Sequence, residues 1–181
     1  LCEAIETHCW DGDWYIRAFN DEGEKLGSAS SQGGCRIDAL SQSWAVMAGL
    51  NPDRVRRAMD QVYLQLVDER VGIVKLLTPP FDGEGTDPGY IRGYLPGVRE
   101  NGGQYTHAAC WVVMALAKLG QTQRAYRVMD MLLPSRHADS EEKAARYRVE
   151  PYVVAADVYG EGVLTGRGGW TWYTGAAAWL N

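Results

Sequence analysis

Residues 98–107, Val-Arg-Glu-Asn-Gly-Gly-Gln-Tyr-Thr-His, carry the densest group of side chains that could do chemistry. They place a guanidinium at Arg99, a carboxylate at Glu100 and an imidazole at His107, directly before an apolar segment with helical periodicity. The unpaired N–H groups and the positive dipole at a helix N-terminus favour an anion such as phosphate. Glu100 could accept hydrogen bonds from sugar hydroxyls, and Arg99 could balance its charge or contact phosphate. The motif therefore predicts a site where a sugar meets an anion, with a loop capped by His107 as the alternative.

A second motif of the same composition covers residues 166–175, Gly-Arg-Gly-Gly-Trp-Thr-Trp-Tyr-Thr-Gly, and also precedes an apolar segment. The Thr174 hydroxyl and the Gly175 N–H predict a phosphate cradle there, with simple N-capping by Thr174 as the alternative. Glu150 lies beside aromatic residues, so it is a candidate sugar contact or a structural carboxylate. With Gln104 of the first motif, Glu150 completes the predicted substrate-binding set.

The charge and the cysteine content of the chain indicate which kinds of partner and which cellular location to expect. A formal charge of −5 over 181 residues offers no basic surface for nucleic acid or for an anionic membrane. The four cysteines include no Cys-x-x-Cys pair, so we expect reduced thiols, no metal site and a cytoplasmic location. Seven tryptophans and ten tyrosines against two phenylalanines suit the faces of sugars, although half-buried structural aromatics would give the same composition.

Five segments show the periodicity of helices. Three are mostly apolar and span 37–50, 106–119 and 171–180, whereas two are amphipathic and span 51–68 and 121–133. Three other segments lie outside these helices. In residues 13–19 apolar and polar residues alternate as in a strand, and a turn follows. Residues 78–89 are expected to form a long rigid loop, and residues 135–148 a solvated connection.

The apolar helices repeat along the chain. Trp44, Trp111 and Trp179 occupy equivalent positions 67 and 68 residues apart. Each unit would pair an apolar inner helix with an amphipathic outer one, followed by a long polar excursion. We therefore expect an all-α fold, a partial α/α toroid of about two and a half helix pairs, with a small β excursion near the N-terminus. Its unpaired apolar faces predict self-association or association with the missing half of the barrel.

Four segments together resemble glycoside hydrolase family 94. They are residues 35–45, 93–108, 147–159 and 166–175, in the order expected for that family. Within the family, they look most similar to the phosphorylase-like region of cyclic β-1,2-glucan synthases and to β-1,2-oligoglucan phosphorylases. Ala156 departs from the pattern, because some relatives carry a polar glucose contact there.

The resemblance implies an (α/α)6 barrel that carries out reversible, inverting phosphorolysis of β-glucosides to α-glucose 1-phosphate. The partners would be a β-glucan and inorganic phosphate as co-substrate, with no cofactor. His107, Thr174 and Gly175 match phosphate-binding positions, and Arg99 and Glu100 match the glucosyl subsite.

The resemblance also sets expectations for what residues 1–181 lack. The family's general acid, an aspartate, is expected upstream of residue 1, so residues 1–181 would be a single barrel fragment without a catalytic residue. A C-terminal β domain is expected to be absent, and inner-membrane association of the parent protein is left open.

Two other functions fit the same residues. An inverting α/α-barrel hydrolase would use water in place of phosphate, with Glu100 or Glu150 as the base. A non-catalytic remnant would bind glycans without turnover or serve only a structural role.

Overall fold

The computed structural model of the protein describes residues 1–172 and 175–181 and shows a mostly helical chain. Within these residues there are seven α-helices: α1 (Cys2–His8), α2 (Ala39–Met47), α3 (Pro52–Leu66), α4 (Thr106–Lys118), α5 (Thr122–Leu132), α6 (Glu141–Tyr147) and α7 (Ala176–Leu180). Short 3-10 helices cover Gly89–Gly93, Pro134–His137 and Gly162–Leu164.

The helices pack as neighbouring pairs. α2 packs on α3, α4 packs on α5, and α4 also contacts α2 and α7. Their shared core is apolar and includes fully buried residues from each of the four longer helices, such as Val46, Met59, Val112 and Val128. These pairs agree with the predicted inner and outer helices, whereas the closed toroid stays a prediction.

The three repeated tryptophans contact one another in sequence order. The ring centroids of Trp44 and Trp111 lie 5.4 Å apart, and those of Trp111 and Trp179 lie 5.6 Å apart, both edge to face. An edge-to-face arrangement suits the positive edge and negative face of aromatic rings. Contacts between equivalent residues show that α2, α4 and α7 lie side by side, as the repeat predicts.

Helices α2 and α4 each begin directly after a two-residue strand. β3 (Ile37–Asp38) pairs antiparallel with β6 (Leu77–Thr78), and β7 (Gln104–Tyr105) pairs antiparallel with β8 (Asp157–Val158). In each case the partner strand lies in the polar excursion that follows the next long helix. These pairings hold the excursions against the N-terminal ends of α2 and α4, and the predicted residues Gln104 and His107 lie at or just before the start of α4.

The β structure differs from the prediction of one small excursion near the N-terminus. Residues 13–19 are not one continuous strand, because Tyr15 makes an isolated bridge with Trp10 and the paired strand β1 covers Ala18–Phe19 alone, opposite β2 (Lys25–Leu26). Another sheet joins β4 (Val67–Asp68) to β5 (Ile73–Val74). The described residues thus hold four two-stranded sheets spread along the chain. Two-residue strands are too short to produce a period-2 pattern in the sequence.

Two helix boundaries and one connection also differ from the prediction. The first apolar helix begins at Ala39, because Asp38 accepts from the backbone N–H of Leu40 (2.7 Å) and caps it. The last begins at Ala176, and Tyr173 and Thr174 lie outside the described residues. Residues 135–148 form a 3-10 turn and α6, with His137 and Tyr147 buried and stacked, where a solvated connection was expected.

The structure also describes the cysteines and the lengths of the apolar helices. All four cysteines are free. None of the helices in the described part of the chain is long and apolar enough to cross a membrane.

Candidate active site

Asn101 holds the first motif in shape. Its side chain is fully buried, and its Oδ1 accepts from the Phe81 N–H (2.7 Å). Its Nδ2 donates to the carbonyl oxygens of Phe81 (2.9 Å) and Tyr94 (2.8 Å). Both polar atoms of the amide therefore hydrogen-bond to backbone groups, and these bonds hold the long loop after β6 against the motif.

The glycine pair allows the motif to pack against the protein's own backbone. Gly102 has a φ of +85°, and an added Cβ would lie 2.9 Å from the Pro80 Cβ. A Cβ on Gly103 would lie 2.9 Å from the Gly97 carbonyl oxygen. Gly102 therefore serves a positive φ, and both glycines allow close approach to protein atoms.

Arg99 lies between two aromatic rings. Its φ is +48°, and its Cζ lies 5.8 Å from the Tyr94 ring centroid and 5.5 Å from that of Trp170. Burial opposes its charge, but a hydrogen bond with Tyr94 and the charge of Asp157 raise the guanidinium pKa above its ordinary value. The structure thus brings Arg99 of the first motif onto Trp170 of the second.

Glu100 is half-buried beside this cluster. Its Oε2 is inaccessible to solvent and has no hydrogen-bond partner among the described residues. Its negative charge acts on Tyr105, whose hydroxyl pKa is raised by burial and by Glu100, and on Asp157. Glu100 can therefore accept a hydrogen bond that the protein itself does not supply.

His107 lies in the first turn of α4, next to the start of α7. Its ring stacks on Tyr105 with centroids 5.7 Å apart, and its Nδ1 is buried without a partner in the described chain. Burial lowers the pKa of the imidazole below its usual 6.5, so it is neutral at pH 7. A Cβ added to Gly175 would lie 3.1 Å from His107 Nε2, so these two predicted phosphate ligands are adjacent. Their predicted companion, Thr174, lies outside the described residues.

Gln104 and Glu150 occupy different surroundings. Gln104 is 1% exposed, and its Oε1 accepts from the Val74 N–H (2.9 Å), which gives it a structural partner. Glu150 is exposed, and its Oε1 accepts from the Trp172 indole N–H (3.3 Å), two residues beyond Trp170. The sugar contacts of both residues stay predictions.

Sequence reasoning left Asp157 out of the site. Asp157 lies in β8, opposite Tyr105, and is 1% exposed. Burial raises the pKa of its carboxyl, while the Trp170 N–H and the charge of Arg99 oppose that shift. The one available signal was an isolated carboxylate inside the apolar run 153–158, since acids are almost never fully buried unless paired.

Unpaired buried atoms concentrate at this site. Six buried side-chain polar atoms have no hydrogen-bond partner within the described part of the chain. Four belong to Glu100, His107, Trp111 and Asp157, and the other two to Ser43 and His137. Because buried polar atoms in folded proteins are almost always paired, the free atoms of Glu100 and His107 indicate a place where a polar ligand supplies the missing partners.

Comparison with known proteins identifies the family. The family described as the glycosyl hydrolase 94 superfamily, catalytic domain, matches residues 1–181. The chain belongs to this family.

Its relatives within family 94 are large carbohydrate enzymes. It is 56% identical to the cyclic β-(1,2)-glucan synthase NdvB of Rhizobium meliloti (strain 1021), over 99% of the chain and 6% of that protein. It is 33% identical to a solabiose phosphorylase of Paenibacillus borealis, over 98% of the chain and 23% of the enzyme. It is 36% identical to an N,N′-diacetylchitobiose phosphorylase of Vibrio proteolyticus, over 98% of the chain and 22% of the enzyme. The chain therefore spans less than a quarter of each of these relatives.

Proposed function

We propose that this chain forms the phosphate-binding and glucosyl-binding part of a glycoside phosphorylase site that acts on β-glucans, with β-1,2 linkages preferred. The observation that carries the proposal is the concentration of unpaired buried atoms around Glu100 and His107. The names of the relatives, phosphorylases and a β-(1,2)-glucan synthase, support the reaction and the linkage.

Phosphate binds at His107 and Gly175 in this proposal. A neutral imidazole can donate one N–H to a phosphate oxygen, and the first turn of α4 adds the positive end of the helix dipole. Gly175 has no side chain to fill the space beside His107 Nε2. The family motif implies a phosphate-binding role for Thr174 as well.

The glucosyl unit binds beside Arg99 and Glu100. The free Oε2 of Glu100 accepts a hydrogen bond from a sugar hydroxyl, and Arg99 contributes a guanidinium held between Tyr94 and Trp170. Aromatic faces next to charged hydrogen-bonding groups are suited to sugars, which have both apolar and polar surfaces. Glu150 would reach a second sugar unit near Trp172.

The reaction is an inverting displacement. A phosphate oxygen forms a bond to the anomeric carbon, and the bond from that carbon to the glycosidic oxygen breaks. The leaving oxygen takes a proton and departs on the released sugar, and the product is α-glucose 1-phosphate. We assign the proton donor to the aspartate that the resemblance places upstream of residue 1. In the same proposal the helix pairs α2–α3 and α4–α5 and the helix α7 are segments of an (α/α)6 barrel.

A substrate with an activated leaving group tests this function without the proton donor. 2,4-Dinitrophenyl β-glucoside releases a phenolate that needs little protonation, so general-acid assistance is not required. We expect phosphate-dependent release of dinitrophenolate together with α-glucose 1-phosphate. His107→Ala should slow it by about 10²-fold, the usual effect of removing one charge-stabilising donor. His8→Ala, at an exposed position on α1, is the matched control.

Two results would contradict the proposal. Release of free glucose at the same rate without phosphate would indicate a hydrolase that uses water. Phosphate-dependent release that is equally fast in His107→Ala would mean that phosphate binds elsewhere.

A further inference from the structure

Asp157 lies behind the sugar side of the site, and none of the established or proposed roles uses it. Its strand partner is Tyr105, which precedes α4 and stacks on His107. At 1% exposure the carboxylate cannot reach a substrate directly. Its action must therefore pass through the groups that it contacts.

Two of these contacts are to the backbone of the second motif. Asp157 Oδ1 accepts from the Trp170 N–H (2.9 Å), and the Asp157 carbonyl oxygen accepts from the Gly169 N–H (2.8 Å). A Cβ on Gly169 would overlap both carboxylate oxygens. Residue 169 therefore has to be a glycine so that the carboxylate can lie against this segment.

Arg99 is the third neighbour. Its backbone N–H and its positive charge both favour the charged form of the Asp157 carboxyl, while Oδ2 is buried without a hydrogen-bond partner among the described residues. A buried carboxylate is stable only when a cation or several donors compensate it. The Trp170 N–H and Arg99 each contribute to that compensation, and the Arg99 Cζ lies 5.5 Å from the ring centroid of the same Trp170.

We propose that Asp157 is a positioning residue that fixes Arg99 and Trp170 as one unit and so sets the affinity of the site for the glucosyl unit. Its charge orients Arg99, and its Oδ1 holds the Trp170 backbone beneath that guanidinium. The hydrogen bond from Trp170 to Asp157 and the packing of Arg99 on Trp170 stand on the structure, whereas the effect on sugar affinity rests on the proposed function.

Asp157→Asn separates this role from a merely structural one. The amide has nearly the same volume and keeps an oxygen for the Trp170 N–H, but it removes the charge that faces Arg99. We would measure calorimetric binding of a β-1,2-glucooligosaccharide and, separately, of inorganic phosphate. The proteins would be wild type, Asp157→Asn, Arg99→Gln and the double variant, with Asp21→Asn in an exposed turn as the control.

We expect Asp157→Asn to weaken oligosaccharide binding about tenfold, within the usual range of coupling energies between contacting residues. Phosphate binding should change less than about twofold. The double variant should bind the oligosaccharide no worse than Arg99→Gln alone, because both substitutions disrupt one unit. Additive losses, or equal losses of sugar and phosphate binding, would overturn the proposal.

Two further readouts keep the test decisive. If wild type binds neither ligand, the proposed function fails. The positioning role is then tested by stability, because Asp157→Asn and Arg99→Gln should have non-additive effects on the free energy of unfolding if the two residues form one unit. Additive effects there would overturn it. If Asp157→Asn does not fold, Arg99→Gln should shift the backbone amide resonance of Trp170, and an unchanged resonance would overturn the proposal.

Discussion

At the scale of single residues, the site combines groups whose charges are controlled by burial. Burial lowers the pKa of His107 and raises that of Asp157, so it favours the neutral form of both groups, while the Trp170 N–H and the charge of Arg99 oppose the shift at Asp157. Shifted pKa values close together are typical of binding and catalytic centres. Glu100 in the same site has a buried oxygen without a hydrogen-bond partner among the described residues.

Gly169→Ala tests how tightly the site is packed around Asp157. The added methyl group would overlap the carboxylate, so we expect the free energy of unfolding to fall by about 1–3 kcal/mol, as for other overpacked sites. Gly93→Ala is the matched control, because a Cβ at Gly93 meets nothing within 4 Å. Urea denaturation of both variants measures the difference. Equal stabilities would contradict the packing of Asp157 against residue 169.

The sequence was sufficient to predict some residues of the site and not others. Arg99, Glu100 and His107 stand in one motif, and Gly175 falls in register with His107 through the tryptophan repeat, so their proximity could be predicted. Asp157 could not be predicted, because its role depends on a pairing between β7 and β8 some fifty residues apart.

At the scale of elements, the long helices were predictable and the short elements were not. Asn51 caps α3 through the N–H groups of Asp53 and Arg54, as the Asn-Pro-Asp order indicates. α6 begins after Ser140 with two acids in its first turn, a recognisable start, but its many charges conceal the two buried residues that anchor it. Those residues are His137 and Tyr147, whose ring centroids lie 4.8 Å apart.

The anchoring of α6 predicts a pH-dependent stability. Burial, aided by the charge of Lys143 and opposed by Asp139 and a Met131 carbonyl, lowers the pKa of His137 to about 4. At pH values between about 4 and the unfolded pKa near 6.5, His137 binds a proton in the unfolded chain but not in the folded chain. His137 therefore stabilises the fold fully above pH 6.5, and we expect its contribution to fall by about 2 kcal/mol from pH 7 to pH 5.

Urea denaturation at pH 7 and at pH 5 measures this contribution. His137→Phe keeps a ring to stack on Tyr147 and should remove this part of the pH dependence. His8→Ala, at an exposed position, should retain it. An unchanged pH dependence in His137→Phe would contradict the assignment.

At the scale of the whole molecule, the inner helices expose an apolar face. Leu40 and Trp44 on α2 are 36% and 45% exposed, Met114 on α4 is 39% exposed, and Trp179 on α7 is 43% exposed. Large residues exposed together on neighbouring helices are typical of a surface that another protein surface covers. The same face would point to the interior of the proposed barrel.

We therefore predict concentration-dependent self-association in sedimentation velocity. Leu40→Gln combined with Met114→Gln should shift the protein toward monomer, since these two side chains lie on the exposed face without belonging to the tryptophan contacts. Tyr126→Gln, at a 72% exposed position on α5, is the control and should leave the association unchanged. A wild-type protein that stays a single monomer at high concentration would contradict the prediction.

The most direct test of the proposed site is to separate its two ligands by mutation. Calorimetric titrations with inorganic phosphate and with a β-1,2-glucooligosaccharide would compare wild type, His107→Ala and Glu100→Gln. We expect His107→Ala to lose phosphate binding while keeping the oligosaccharide, and Glu100→Gln to lose the oligosaccharide while keeping phosphate. If wild type binds neither ligand, or if both folded variants lose both ligands equally, the division of the site into a phosphate side and a sugar side is wrong.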